Sequence, residues 1–96
     1  MMSYDIFHIF PCADLIAFNI QGRINNADIK MLQESLEIND FQVVFLESLS
    51  SLIARKNDIL FTFSRNGEFT LSNIHDKNHG SEILSIITTR PEKGTQ

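Results

Sequence analysis

The chain has 96 residues and a mass of 11.0 kDa, which is enough for one domain and too little for two. Its apolar fraction of 43% and charged fraction of 21% are typical of a folded globular chain, which excludes a disordered one. Twelve Asp and Glu residues against eight Lys and Arg residues give a net charge of −4, which disfavours nonspecific binding to nucleic acid or to an anionic membrane.

Targeting and redox features point to one compartment. The single cysteine, Cys12, excludes an intrachain disulfide framework and is typical of a reducing environment. No apolar run approaches the ~20 residues of a membrane span, and the first residues lack the basic region of a secretion signal. We therefore expect a cytoplasmic domain with no membrane insertion.

The first two predicted elements are strands. Residues 4–10 and 15–20 are rich in aromatic and β-branched side chains, and residues 11–14 between them have the composition of a short turn. The second segment alternates larger and smaller side chains until Gly22 ends it. This pattern predicts a β-hairpin.

A helix is predicted over residues 27–37. Asn25 to Asp28 supply the side-chain acceptors of an N-cap, which bind the free amides of a first helical turn. Ile29, Leu32 and Leu36 then recur at helical spacing, with charged and polar side chains between them. We expect this helix to pack on the hairpin.

The segment after this helix has two interpretations. Residues 43–46 are four consecutive apolar residues, and as a strand they would be covered on both faces, as in the centre of a sheet. A continuous helix over residues 40–57 is the alternative, because other apolar residues here recur at helical spacing. The strand is favoured because the two valines lose side-chain freedom in a helix.

Residues 48–67 also have two interpretations. The favoured one is a loop leading into a second helix over about residues 51–65, with Ser50 or Ser51 as N-cap and Gly67 just after its end. The alternative is a β-hairpin of residues 59–64 and 68–71 that turns at Asn-Gly.

The last predicted elements are a strand and a helix. Residues 68–74 alternate as a strand does, and residues 80–88 form an apolar helix that Pro91 prevents from continuing. Residues 90–96 are expected to be a flexible polar tail. The order β-β-α-β-α-β-α predicts a single small α/β domain over residues 1–89, with a mixed four-stranded sheet and three helices.

Part of this pattern resembles a known family. Residues 20–25, Ile-Gln-Gly-Arg-Ile-Asn, followed by Leu32 and Leu36, resemble the opening strand and helix of STAS domains of the anti-sigma-factor-antagonist type. Three later segments keep the family's order and approximate spacing: residues 43–48, 67–74 and 82–87. The resemblance covers about residues 4–88, and it implies a regulatory domain without enzymatic activity.

The resemblance also implies a site, although the family's Asp-Ser-Ser/Ala-Gly string is missing. Counting back from Gly67 brings Ser50 and Ser51 to the place of the phosphoacceptor, whereas counting on from Val43 brings a segment without a hydroxyl there. A loop and helix over residues 48–63 would then dock on the partner. Its expected partner-binding residues are Ser48, Arg55, Lys56 and Asn57.

The serines and basic residues given these roles also have structural interpretations. Ser50 and Ser51 are explained equally well as N-caps, and the basic residues after them as a solvated face. His75, Asp76 and His79 are the only cluster with metal-ligand chemistry, but no further ligand is set by nearby spacing, so we expect no metal.

No catalytic motif is recognisable. Cys12 has no neighbouring base or cation in the sequence to activate its thiol, and the four glycines are too dispersed to hold a phosphate. We expect neither an enzyme nor a cofactor.

The sequence thus predicts a protein-binding regulatory module. The resemblance implies an anti-sigma factor or a kinase-like ATPase as its partner. Its length is similar to that of the minimal STAS subunit of the bacterial lipid-asymmetry ABC transporter, which implies a transporter ATPase as an alternative partner. A second alternative is a structural subunit, a homodimer or larger homo-oligomer, in which some of the eight Phe residues form the interface.

Overall fold

The N-terminal hairpin predicted from the sequence is present in the computed structural model, which describes residues 2–12 and 16–89. Strand β1 spans Ser3–Pro11, strand β2 spans Phe18–Asn25, and the two are antiparallel. The prediction that Gly22 ends the second strand is wrong, because β2 continues three residues beyond it. Strand β1 contains a bulge, because Ile6 pairs with Gly22 whereas His8 pairs with the adjacent Gln21. Phe7 is the additional residue, and two residues of β1 therefore lie opposite one residue of β2.

The first helix also agrees with its prediction. Helix α1 spans Ile29–Ile38, and the carboxylate of Asp28 caps it by accepting a hydrogen bond of 3.2 Å from the backbone amide of Met31. Leu32 and Leu36 are fully buried on the side of the helix that faces the sheet. The capping carboxylate satisfies one of the amides that a helix leaves unpaired at its start.

Removal of this cap has a measurable consequence. We expect Asp28→Ala to lower the free energy of unfolding by about 1 kcal/mol, the usual cost of losing a capping side chain. Urea unfolding followed by far-ultraviolet circular dichroism measures the change. Asp28→Asn is the matched control, because it keeps an oxygen acceptor. Equal losses in both variants would contradict a capping role for the Asp28 side chain.

The next strand is correctly predicted as a strand but wrongly placed in the sheet. Strand β3 spans Gln42–Leu46 and continues into a short 3-10 turn, Glu47–Leu49, before strand β4, Ser51–Lys56. Strand β3 pairs only with β4, so it lies at an edge. Val44 is 55% exposed and Phe45 39% exposed, whereas the prediction of a central strand required both to be buried.

The helix predicted over residues 51–65 is wrong. These residues form β4 and a further strand β5, Ile59–Phe63, which are paired antiparallel through a two-residue turn at Asn57 and Asp58. Buried residues alternate along both strands, as in Leu52 and Ala54. Asn57 adopts a left-handed conformation with φ 56, which Asn tolerates better than most residues in tight turns.

The alternative interpretation of the following segment is confirmed. Strand β6 spans Glu68–Ile74 and forms a hairpin with β5 that turns through residues 64–67. Gly67 has a φ of 93, which a residue with a side chain adopts only under strain. The last helix, α2, spans Lys77–Thr88 and begins three residues before the predicted start.

Within residues 2–12 and 16–89, six strands form one antiparallel sheet in the order β1-β2-β6-β5-β4-β3. The predicted mixed sheet of four strands with three helices is therefore wrong. The expected second helix is a pair of strands, and these strands complete a sheet with no parallel neighbours. Helix α1 contacts β3 and β4, whereas α2 contacts β6, β2 and β1.

Both helices cover the same face of the sheet, and the core lies between them and the strands. We call this side the helix face. At its centre the rings of Phe61 and Phe69 stack with their centroids 6.0 Å apart. The fully buried residues with the largest side chains include Phe61, Ile20, Leu32, Leu36, Leu52, Leu71, Ile74, Leu84 and Ile87.

Two predictions concern features that the described part of the chain does not decide. The polar tail, residues 90–96, lies outside the described residues, as do residues 13–15 of the first turn.

Within residues 2–12 and 16–89, neither helix has the length and hydropathy needed to cross a bilayer.

Candidate functional site

The predicted phosphoacceptor serines do not lie at the N-terminus of a helix. Ser50 follows the 3-10 turn in a left-handed conformation with φ 49, and Ser51 is the first residue of β4. The Ser51 hydroxyl donates a hydrogen bond of 3.1 Å to the carbonyl oxygen of Leu49. The free helix amides that would receive a phosphate there are therefore missing, and the expected N-cap role of these serines is wrong.

The predicted partner-binding residues do not form one surface. Ser48 lies in the 3-10 turn before β4, whereas Arg55, Lys56 and Asn57 lie at the other end of that strand, about 20 Å away at the rise of an extended chain. Arg55 and Lys56 point to opposite faces of the sheet. The Lys56 ammonium lies 5.8 Å from the ring centroid of Phe41, on the helix face.

Two of the three residues with metal-ligand chemistry, His75 and Asp76, have structural roles. Asp76 is the N-cap of α2 and accepts a hydrogen bond of 2.9 Å from the amide of Asn78. His75 Nδ1 lies 3.2 Å from the carbonyl oxygen of Ile16, and its Nε2 lies 3.7 Å from the carboxylate of Asp58. Among residues 2–12 and 16–89, no group of three or more His, Cys, Asp and Glu side chains is suitably placed for a metal ion.

Strand β1 carries a set of exposed apolar side chains. Ile6 is 37% exposed, Phe7 49%, Ile9 41% and Phe10 38%. We call these four residues the edge patch. A single exposed apolar side chain is ordinary, whereas a contiguous group of them on one strand is typical of an interaction site.

The edge patch occupies both faces of the sheet. Ile6 pairs with Gly22 and Ile9 with Ile20, so both point to the helix face, beyond the cover that α2 provides. Phe10 pairs with Asn19 and points to the opposite face. Because β1 has only β2 as a neighbour, its outer backbone groups have no partner strand in the sheet.

The opposite face of the sheet, which we call the open face, contains a shallow depression. It has a volume of about 370 Å³, and Phe7 of the edge patch forms part of its wall. One row of residues crosses all six strands in register on this face: His8, Gln21, Thr70, Thr62, Ile53 and Val44. The centre of the open face is therefore a mixture of hydroxyl, amide and aliphatic groups, and the edge patch lies at its margin.

The charges near β1 leave the edge patch accessible. Asp5 is the only residue of β1 with a formal charge at neutral pH, and its carboxylate accepts a hydrogen bond of 2.9 Å from the Asn25 side chain. Arg23 pairs with Glu68 at 3.5 Å and donates a hydrogen bond of 2.7 Å to the carbonyl oxygen of Asn66. The edge thus lacks the lysines with which many proteins prevent strands from pairing.

The sequence interpretation identified β1 but not its role. The signal was present, because β1 has apolar residues at both odd and even positions, whereas a strand with one solvated face alternates. A strand apolar on both sides is typical of the interior of a sheet. Its position at an edge is knowable only from the sheet order.

Comparison of the chain with protein families, with curated proteins and with solved structures found no match. The resemblance to STAS domains, and the partners that it implies, therefore stay predictions.

Proposed function

We propose that this chain is a protein–protein interaction module without enzymatic activity, and that it binds by adding a strand of another polypeptide to the edge of β1. One observation carries the proposal: an edge strand presents large apolar side chains on both faces of the sheet. An added strand would cover Ile6 and Ile9 on one face and Phe7 and Phe10 on the other.

The physical basis is the addition of a strand to an exposed sheet edge. The backbone groups of the added strand supply the hydrogen bonds, and its alternating side chains supply the specificity. The segment from Ile6 to Phe10 contains no proline and no formally charged residue. Nothing in that segment therefore opposes pairing by charge or by loss of a backbone donor.

This proposal places the interaction at a different surface from the one implied by the resemblance. Docking through residues 48–63 required a helix there, and the structure has two strands of the central sheet instead. Two of the exposed side chains of this segment, Arg55 and Asn57, belong to the end of the β4–β5 hairpin. We expect them to contribute little to binding.

A displayed library of random nonapeptides tests the proposal. We expect the protein to select peptides that alternate β-branched or aromatic residues, because such peptides extend readily as strands. A Phe7→Lys/Phe10→Lys variant is expected to weaken binding of the selected peptides at least tenfold. Titration of labelled peptides followed by fluorescence anisotropy measures the change.

The matched control places two lysines on the helices instead. Ile38 and Ile86 are about as exposed as the two phenylalanines, so Ile38→Lys/Ile86→Lys adds the same charge away from β1. This control is expected to bind the selected peptides as the original chain does. Equal binding by all three proteins would contradict strand addition at β1.

A further inference from the structure

We propose that the strand added to β1 is β1 of a second copy of this chain, in an antiparallel pair around a two-fold axis that passes between Phe7 and His8. This inference rests on the proposed function and names its partner. The two sheets would then join into one continuous sheet of twelve strands.

The register of β1 against β2 assigns each side chain of β1 to one face. Residues that pair across an antiparallel ladder share a face, so the partners on β2 determine the assignment. The residues on the helix face are Tyr4, Ile6, Ile9 and Pro11. The residues on the open face are Asp5, His8 and Phe10, together with Phe7, which lines the depression there.

Only one self-pairing that uses residues 4–11 of this strand keeps every side chain on its own face. With the axis between Phe7 and His8, each pair joins residues whose numbers add to 15, so that Ile6 lies opposite Ile9 of the second copy. Every other axis that leaves six or more residues of β1 paired places a helix-face side chain opposite an open-face one. Register is strongly specified wherever one face of a sheet is buried, as the helix face is here.

The bulge explains why this register is unique. Phe7 and His8 both point to the open face, which breaks the alternation of β1 at this place. In the proposed pair the bulges of the two copies lie opposite each other, and regular pairing continues on both sides. In any other register the bulge of one copy would lie opposite a regular part of the other.

The contacts in this register are complementary. On the helix face, Ile6 of each copy lies opposite Ile9 of the other, which covers the two isoleucines that α2 leaves exposed. On the open face, Asp5 lies opposite Phe10 of the second copy and diagonal to its His8. No carboxylate lies opposite a carboxylate, so the charged groups permit the pairing.

The area available indicates the expected strength of the dimer. The edge patch exposes on the order of 300 Å² of side-chain surface, comparable with the largest apolar patch on a typical monomer. Stable interfaces bury about 800 Å² on each partner. The edge patch provides less than half of that area, and the backbone of the paired strands adds only part of the remainder. We therefore expect the dissociation constant of the dimer to lie in the micromolar range.

Sedimentation equilibrium of the full chain between about 1 and 200 μM tests the dimer, with charge variants that report on the register. Phe10→Glu places one carboxylate opposite Asp5 of each copy, whereas Phe10→Lys places an ammonium there. We expect Phe10→Glu to weaken dimerisation at least tenfold more than Phe10→Lys. Ile86→Glu and Ile86→Lys are the controls for net charge, and they are expected to differ from each other by less than threefold.

The register itself is measured by isotope-filtered NMR. In a mixture of labelled and unlabelled chains, we expect an intermolecular nuclear Overhauser effect between the methyl groups of Ile6 and Ile9. A dimer that lacks this contact, or in which the Phe10 variants differ no more than the Ile86 variants, would overturn the inference.

The outcomes separate this inference from the proposed function. A chain that stays monomeric at 200 μM but still selects strand-like peptides through Phe7 and Phe10 overturns the second copy as partner and leaves strand addition standing. Growth beyond a dimer indicates pairing of β1 with the other edge, β3, and also overturns the inference. If the chain is monomeric and the Phe7→Lys/Phe10→Lys variant binds the selected peptides as tightly as the original chain does, both this inference and the proposed function are overturned.

Discussion

Replacement of Phe61 by alanine is expected to lower the free energy of unfolding by about 3–5 kcal/mol, the usual range for a fully buried phenylalanine. Phe61 has no exposed surface, and it lies on the central strand β5 between Ala54 of β4 and Leu71 of β6. Its ring stacks on that of Phe69. The small side chain of Ala54 beside it cannot fill the cavity, so little relaxation is expected.

Thermal and urea unfolding followed by far-ultraviolet circular dichroism measure this loss. Since small domains are stable by only about 5–15 kcal/mol, the midpoint temperature is expected to fall by more than about 10 °C. Phe45→Ala is the matched control, because Phe45 is 39% exposed on the edge strand β3. Its expected loss is below about 1.5 kcal/mol, and a loss in Phe45→Ala equal to that in Phe61→Ala would contradict the assignment of the core.

Elements with one strong local signal were predictable from the sequence. In the sequence of the β1–β2 hairpin, residues of turn composition separate two β-rich segments, and α1 has both a capping aspartate and helical spacing of its leucines. Strand β6 alternates along its length. In these segments the local preference of the chain and the final structure agree, which is the general condition for a correct prediction.

The helix predicted over residues 51–65 is wrong because two periods fit this segment. Leu52, Ile53 and Leu60 fit a helix, whereas Leu52, Ala54 and Phe61 fit two alternating strands. The turn between the strands, Asn57 and Asp58, contains no glycine, so it was a weak signal. Pairing of β4 and β5 with strands on either side decides the structure, and such long-range pairing is not encoded in a local window.

The position of a strand within the sheet also could not be predicted from the local sequence. Both edge strands, β1 and β3, have apolar side chains on both faces, a pattern that belongs to central strands. This pattern predicts a central position for residues 43–46, whereas they lie at the edge of the sheet. An edge strand with the composition of a central strand exposes apolar side chains, so both edges are candidate interaction surfaces.

The two edges differ in a way that favours β1 as the interaction site. Strand β1 has nine residues, whereas β3 has five and passes directly into the 3-10 turn. A longer strand offers more backbone groups for pairing and more side chains for specificity. The bulge in β1 also provides a natural centre for a symmetric pair, and the pairing of β3 with β4 contains no such irregularity.

Replacement of Gly22 by alanine is expected to lower the free energy of unfolding by about 2–3 kcal/mol, because the added methyl group has no room. Gly22 lies in β2, between Ile6 of β1 and Phe69 of β6. A Cβ atom there would overlap the backbone carbonyl oxygen of Asp5 and would lie 2.9 Å from two atoms of the Phe69 ring. A backbone oxygen cannot rotate away, so β1 itself has to move.

Gly80→Ala is the matched control for this substitution. Its Cβ atom would meet only the end of the Ile20 side chain and a methyl group of Ile74, and the Ile20 side chain can change its rotamer. Alanine is also favoured over glycine within a helix by about 1 kcal/mol, which offsets the crowding. We therefore expect Gly80→Ala to change stability by less than about 1 kcal/mol in urea unfolding.

Hydrogen exchange then links Gly22 to the interaction edge. We expect Gly22→Ala to accelerate amide exchange in β1 by at least tenfold relative to β5, because the displaced carbonyl of Asp5 belongs to β1. A displaced β1 also loses the alignment that strand addition needs, so binding at the edge patch is expected to weaken with it. Uniform acceleration over all strands would instead mean that Gly22 supports the whole sheet and not β1 in particular.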